Sequence, residues 1–282
     1  MKKLLAILLA LTLAFSLFAC AKDDADVSPS PSASEPEVSP SATEPAQNLE
    51  ISGELTVFAA ASMTETLTEI EALFKAYAPN VSINFNFESS GTLLKQLQEG
   101  AEADIFVSAG QKQMNDLGAE NILAGSRFDL VENRVALVVP AGNPGSIKSF
   151  DDAVAAGSIA LGDSSVPVGQ YAQEIFESLG VWEQVSAKAT LAGNVKEVTT
   201  QVKEGAVDCG IVYVTDANSE PGIEIVAFAP EGTLATPVLY PAAVLAQSQN
   251  GAAATAFLGF LTTDAAIAVF ESVDFVVVAS RG

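Results

Sequence analysis

Apolar residues recur along this 282-residue chain at two spacings, and the spacing switches repeatedly from one to the other. Leu55 to Ala59 is a short apolar run, the signal of a buried strand. Met63, Leu67, Ile70, Phe74 and Tyr77 follow at intervals of four, three, four and three, which places them on one helical face. Val81, Ile83, Phe85 and Phe87 alternate with polar residues, the period of a strand. A helix is expected from about Thr92 to Glu99, stopped at Gly100, and then a strand at Ile105 to Ser108. After Val135 to Val139 a second set begins. It holds a strand at Ile159 to Leu161, a helix from Gln170 to Leu179 closed by Gly180, a helix from Val195 to Glu204 closed by Gly205, and a strand at Cys209 to Tyr213. Ile223 to Phe228 and Val238 to Ala246 are expected strands ahead of C-terminal helices. Alternating strands and helices predict an α/β fold with largely parallel sheets. The similar order of the two sets predicts two lobes joined by crossing strands rather than one long sheet.

The first fifty residues break this pattern. Lys2 and Lys3 precede an apolar run from Leu4 to Phe18 that is short for a membrane span, so residues 1–19 are expected to be a secretory signal peptide. From Ala21 to about Asn48, Ser, Pro, Ala, Glu and Asp dominate, with no aromatic residue. Such a segment buries too little apolar surface to offset its ordering entropy and is expected to be a disordered tether over residues 20–50. The junction Leu17-Phe18-Ala19-Cys20 resembles the lipobox of bacterial lipoproteins. That resemblance implies cleavage before Cys20, lipidation of Cys20, and an extracytoplasmic domain anchored to the cell membrane.

Charge and composition narrow the chemistry. A formal net charge of -22 argues against nucleic acid and against an anionic membrane surface as partners. The chain has no histidine, which removes the usual Ser-His and Cys-His catalytic pairs and the commonest metal ligand. Cys209, the one cysteine besides Cys20, sits in the apolar run to Tyr213 and is expected to be a small core residue. A serine–lysine hydrolase built on Ser89-Ser90-Gly91-Thr92 and Lys95 is a weak alternative, because nothing else in the pattern supports it. Asp104, Asp208 and Asp216 are expected to cap turns, and Lys95, Lys196 and Lys203 to face solvent. Tyr171 and Trp182 are expected to serve packing.

Four places share one local pattern, in which an extended segment ends and a helix begins at a small or capping residue. They are Ala59-Ala60-Ala61-Ser62-Met63-Thr64-Glu65, Glu88-Ser89-Ser90-Gly91-Thr92-Leu93, Val166-Pro167-Val168-Gly169-Gln170 and Asn194-Val195-Lys196-Glu197. Ser62 with Glu65, and Asn194 with Glu197, have the spacing of a capping box. In α/β folds such turns lie at the carboxyl ends of strands, facing the ligand crevice. Each helix start offers unpaired N–H groups and the positive end of a dipole, which suits an anion. Any single start is most simply a cap; the specificity lies in the set, two from each lobe.

The stretches Val57-Phe58-Ala59-Ala60-Ala61-Ser62, Ser89-Ser90-Gly91-Thr92-Leu93, Ala103-Asp104-Ile105-Phe106-Val107-Ser108-Ala109, Val166-Pro167-Val168-Gly169-Gln170-Tyr171 and Gly210-Ile211-Val212-Tyr213 resemble, in that order, the molybdate-binding proteins of bacterial ABC transporters. The resemblance runs over nearly all of Leu55 to Phe275. It implies a two-lobed periplasmic-binding-protein fold (type II), with lobe I at 51–135 plus 236–282 and lobe II at 136–235, each a mainly parallel sheet flanked by helices. It also implies a molybdate or tungstate ligand without a further cofactor, ABC permease subunits as partners, and a monomer that performs no reaction. By position, Ser62 and Ser90 would supply hydroxyl and backbone donors, Val168 and Val195 backbone N–H groups, and Tyr213 its hydroxyl. Val168 stands where alanine is usual, and Asp274-Phe275 departs from the usual Gly-Phe close. A binder of another tetrahedral oxyanion, sulfate or thiosulfate, is the alternative. Phosphate fits less well, since at neutral pH it carries a proton that needs an acceptor.

Overall fold

The computed structural model describes residues 48–120, 122–125 and 127–279. The expected signal peptide, Cys20 and the tether up to residue 47 lie outside the described residues. Residues 48–50, expected to belong to the tether, are instead held to the domain. The Asn48 N–H donates to the Tyr77 carbonyl at 2.7 Å, and Asn80 Nδ2 donates to the Leu49 carbonyl at 3.0 Å.

The first sheet is built from β1 (Ser52–Ala60), β2 (Asn80–Glu88), β3 (Ile105–Val107), β4 (Phe128–Asn133), β10 (Val238–Val244) and β11 (Val276–Val277). Its order is β11-β4-β10-β3-β1-β2. The second sheet holds β5 (Val135–Pro140), β6 (Ile159–Gly162), β7 (Ala189–Ala192), β8 (Cys209–Tyr213) and β9 (Ile223–Phe228), in the order β7-β6-β8-β5-β9. The chain leaves the first sheet between Asn133 and Val135 and returns over 229–237. These crossings define two lobes. Strands β1, β2 and β3 pair in parallel, as do β6, β7 and β8, because helices connect them. Where crossing strands enter, β10 with β3 and β4, and β5 with β8 and β9, pairing is antiparallel. Both sheets are therefore mixed, and their expected parallel character belongs to the strand–helix units.

The helices are α1 (Thr64–Tyr77), α2 (Ser90–Gln98), α3 (Gln111–Ala119), α4 (Phe150–Ala155), α5 (Pro167–Ser178), α6 (Trp182–Ser186), α7 (Val195–Lys203), α8 (Val214–Ser219), α9 (Gly251–Phe260) and α10 (Asp264–Ser272). Leu67, Ile70 and Phe74 of α1 are buried, with Phe74 edge-on to Phe257 and Phe260 of α9. Gly180 and Gly205 stop α5 and α7 at φ 73° and 67°, a backbone region that glycine enters without strain. Two helices start earlier than their apolar periodicity indicates. Helix α2 begins at Ser90 because Ser89 Oγ caps it, accepting from the Thr92 N–H, and α5 begins at Pro167, whose fixed φ suits a first turn. Strand β10 stops short of Ala246 and carries a register shift at Tyr240/Pro241. The usual Gly-Phe close is replaced by Asp274 at φ 72° and a buried Phe275 packed on Tyr240 and Phe270.

Candidate functional site

Ser62 lies in a single 3-10 turn (Ala61–Met63) between β1 and α1 and is buried. Its Oγ is 3.0 Å from the Tyr240 hydroxyl. Asn133 Nδ2 donates to the Tyr240 hydroxyl at 3.1 Å and to Thr215 Oγ1 at 2.9 Å. Either hydroxyl can donate in the Ser62–Tyr240 contact; with Tyr240 as the donor, the Ser62 proton is left to point elsewhere. The expected capping box of Ser62 with Glu65 does not form, as neither the 3-10 turn nor α1 has a side-chain cap. Ser62 sits inside the turn rather than ahead of it, and both side chains have other partners: Ser62 has Tyr240, and Glu65 has Lys196.

Ser90 opens α2 and is wholly buried. Its Oγ accepts the Ala109 N–H at 2.9 Å, so its proton is uncommitted among the described residues. Tyr213, at the end of β8, donates its hydroxyl proton to the Ala109 carbonyl at 3.2 Å. The Tyr213 ring stands edge-on to Tyr240, with centroids 5.6 Å apart, and to Tyr171 at 6.5 Å. Contacts thus run unbroken from Ser62 through Tyr240, Tyr213 and Ala109 to Ser90. Burial, then the neighbouring Tyr240, Tyr171 and Asp216, push the Tyr213 hydroxyl well above its ordinary range. Burial and Asp216 do the same to Tyr240, while burial and Glu174 push Tyr171 up to about 12. All three phenols stay neutral at physiological pH.

Val168 and Val195 are buried in the first turns of α5 and α7. Helix geometry leaves their N–H groups without intrahelical acceptors, and none is supplied by the rest of the described residues. Asn194 caps α7 as expected, its Oδ1 accepting the Glu197 N–H at 3.0 Å. Glu197 reaches back to the Gly193 N–H at 2.7 Å rather than to Asn194.

The lobes meet around these groups. A Cβ added to Gly91 would lie 2.1 Å from the Ser165 carbonyl oxygen, so the α2 turn and the loop before α5 touch through main chain. One added to Gly110 would lie 3.1 Å from Pro167 Cβ. Gln113 Nε2 donates to Gln170 Oε1 at 3.3 Å, and Asn194 Nδ2 to Glu88 Oε2 at 3.4 Å. Serines 62 and 90, the two valine helix starts and Tyr213 therefore occupy one neighbourhood. A cavity of about 930 Å³, bounded by Phe128, Asp129, Val244, Leu258 and Val278, contains none of them.

Two charged residues beside this neighbourhood depart from expectation. Lys196 does not simply face solvent: its Nζ lies 2.8 Å from Glu65 and 3.2 Å from Asp216. Asp216 caps no turn. It is wholly buried, and burial, opposed by Lys196, pushes its carboxyl up to about 6. The cost of burial to the Lys196 ammonium is outweighed by Asp216 and Glu65, which raise it above its ordinary value. Lys95 and Lys203 do face solvent, in pairs with Glu99 and Glu220. Asp208 caps a turn, accepting the Gly157 and Ser158 N–H groups, whereas Asp104 joins the Thr56 N–H to Ser248. The sequence pattern singles out neither Tyr240 nor Asn133, and it points Lys196 to solvent and Asp216 to a turn.

Known proteins resemble this chain in sequence and fold. A Bacillus subtilis protein named "Putative ABC transporter substrate-binding lipoprotein YvgL" is 34% identical over 223 residues, 78% of this chain and 85% of that one. The molybdate-binding protein ModA of Haemophilus influenzae is 34% identical over 233 residues, 79% of this chain and 90% of its own. A solved structure described as "substrate binding domain of putative molybdenum ABC transporter from Clostridium difficile" superposes with a TM-score of 0.62 at 35% identity, covering 80% of this chain and 99% of that one. Residues 55–275 match the family described as bacterial extracellular solute-binding protein, and the chain belongs to that family.

Proposed function

We propose that this protein captures molybdate or tungstate between its lobes outside the cytoplasmic membrane and delivers it to an ABC permease. In this reading the Ser62, Ser90 and Tyr213 hydroxyls and the Val168 and Val195 N–H groups surround the anion, and the protein performs no reaction. We divide the chain close to its two crossings, with 51–135 and 236–282 in one lobe and 136–235 in the other. The signal peptide is removed, Cys20 carries lipid, and the monomer works on its tether at the membrane surface. The YvgL name and the lipobox-like junction both favour anchoring.

One observation carries the reading: neutral donors from both lobes lie close together, and the Ser90 proton is not committed to the protein, nor is that of Ser62 when Tyr240 is the donor between them. Hydrogen bonds to a charged group contribute about 1.5–3 kcal/mol each, so a handful can hold a dianion without a cation in contact. The anion competes with the Ala109 carbonyl for the Tyr213 proton, a modest demand at 3.2 Å. None of the five groups is a carboxylate that could accept a ligand proton, which favours fully deprotonated tetrahedral anions over phosphate. The choice of molybdate or tungstate over sulfate rests on the relatives.

Titration calorimetry with molybdate, tungstate and sulfate in parallel tests this. Molybdate and tungstate are expected to bind with similar constants between micromolar and nanomolar, about -8 to -12 kcal/mol. Sulfate is expected to bind at least a hundredfold more weakly, and equal binding of sulfate would transfer the assignment to the alternative anion.

A further inference from the structure

Lys196 is the second residue of α7, next to Val195, and belongs to the second lobe. Its Nζ lies 2.9 and 2.8 Å from the two carboxylate oxygens of Glu65, in the first turn of α1 on the first lobe, three residues after Ser62. The same Nζ is 3.2 Å from Oδ1 of Asp216, on α8 of its own lobe, an ion pair without a hydrogen bond. The Asp216 side chain is fully buried, and neither of its oxygens accepts a hydrogen bond among the described residues. The Lys196 side chain is 30% exposed and that of Glu65 50%.

We propose that Lys196 is a positioning residue for anion capture: anchored by Asp216 within its own lobe, it pairs with Glu65 only when the lobes meet, and so slows release of the bound oxyanion. This rests on the cleft being an oxyanion site. A free lysine loses much rotamer freedom on forming an ion pair, which is why exposed pairs contribute little. Asp216 removes most of that cost beforehand, because the ammonium is already held at the edge of its lobe. The Lys196–Asp216 pair also keeps a buried carboxylate from facing a dianion uncompensated. A bond completed only at closure resists opening, so its effect falls on release rather than on encounter.

Stopped-flow kinetics with molybdate on the parent protein, Glu65→Gln and Lys196→Arg test the proposal. Glu65→Gln is expected to raise the release rate about three- to tenfold, with the association rate within twofold. Lys196→Arg is expected to keep slow release, and raised salt to bring the parent towards Glu65→Gln. An unchanged release rate in Glu65→Gln overturns the proposal. Lys196→Gln would strand the buried Asp216 and risks misfolding, so the half-exposed Glu65 carries the test. If the parent binds no molybdate, the oxyanion reading fails, and the pair is then read in the ligand-free protein by pulsed EPR distances between labels on the two lobes. There Glu65→Gln is expected to shift the population towards separated lobes, and an identical distance distribution overturns the proposal.

Discussion

In the proposed site the first lobe supplies side-chain hydroxyls, Ser62 and Ser90, whereas the second supplies main-chain N–H groups at Val168 and Val195. A hydroxyl rotates, and its proton points usefully only if neighbours occupy its oxygen. Ser62 needs Tyr240, which needs Asn133; Ser90 needs the Ala109 N–H. A main-chain donor has no such dependence, because the helix fixes its direction whatever side chain follows. One half of the cleft is therefore exposed to substitutions well away from it in sequence, and the other is nearly indifferent to its own side chains. Valine in place of the usual alanine at 168 belongs to the indifferent half.

Substitutions that act on closure, on the hydroxyl relay and on the main-chain donors separate these halves in descending order of effect. Gly91→Ala acts on both at once. Its Cβ would lie 2.1 Å from the Ser165 carbonyl oxygen of the opposite lobe, so the lobes could no longer meet. Molybdate affinity measured by calorimetry is expected to fall at least a hundredfold, about 2.7 kcal/mol. The ligand-free melting temperature should hold or rise, since alanine favours a helix turn over glycine. Tyr240→Phe strikes only the hydroxyl half: it leaves Ser62 without the proton that holds its oxygen, and about a tenfold loss is expected in the same titration. An affinity within twofold of the parent would show that Ser62 needs no relay. Val168→Ala strikes only the main-chain half. It is expected to leave affinity within twofold while lowering stability to chemical denaturation by about 1–2 kcal/mol for the buried carbons removed. A larger affinity change would show that the side chain shapes the cleft after all.

The same contrast explains what could be read from sequence. Strand–helix units with strong periodicity, such as Leu55 to Tyr77 or Cys209 to Tyr213, announce themselves because each buries a regular apolar face. Helix α3 does not: Met114 and Leu117 are its only buried apolar residues, and Gln113 is buried through its contact with Gln170. Strand β7 is an edge whose Leu191 is largely exposed, so it carries no alternation. At the cleft, caps and helix starts are local and were visible at Ser89, Pro167 and Asn194. Tyr240 meets Ser62 across 178 positions, and Lys196 meets Glu65 across 131, separations that no local pattern encodes. Lys196 in particular has the sequence spacing of a solvated helix face; only the folded chain brings it Asp216 of its own lobe and Glu65 of the other.

The contact at Gly91 has a further consequence. Where lobes stop against side chains, the stopping point is compliant, because rotamers yield by fractions of an ångström. Here main chain abuts main chain, and the stop is as stiff as the two elements that carry it. The gap left between the lobes is then a gauge of fixed width. An anion with longer bonds would hold the jaws ajar and one with shorter bonds would rattle within them. Discrimination by size would reside in the backbone and could drift only slowly as surface residues change.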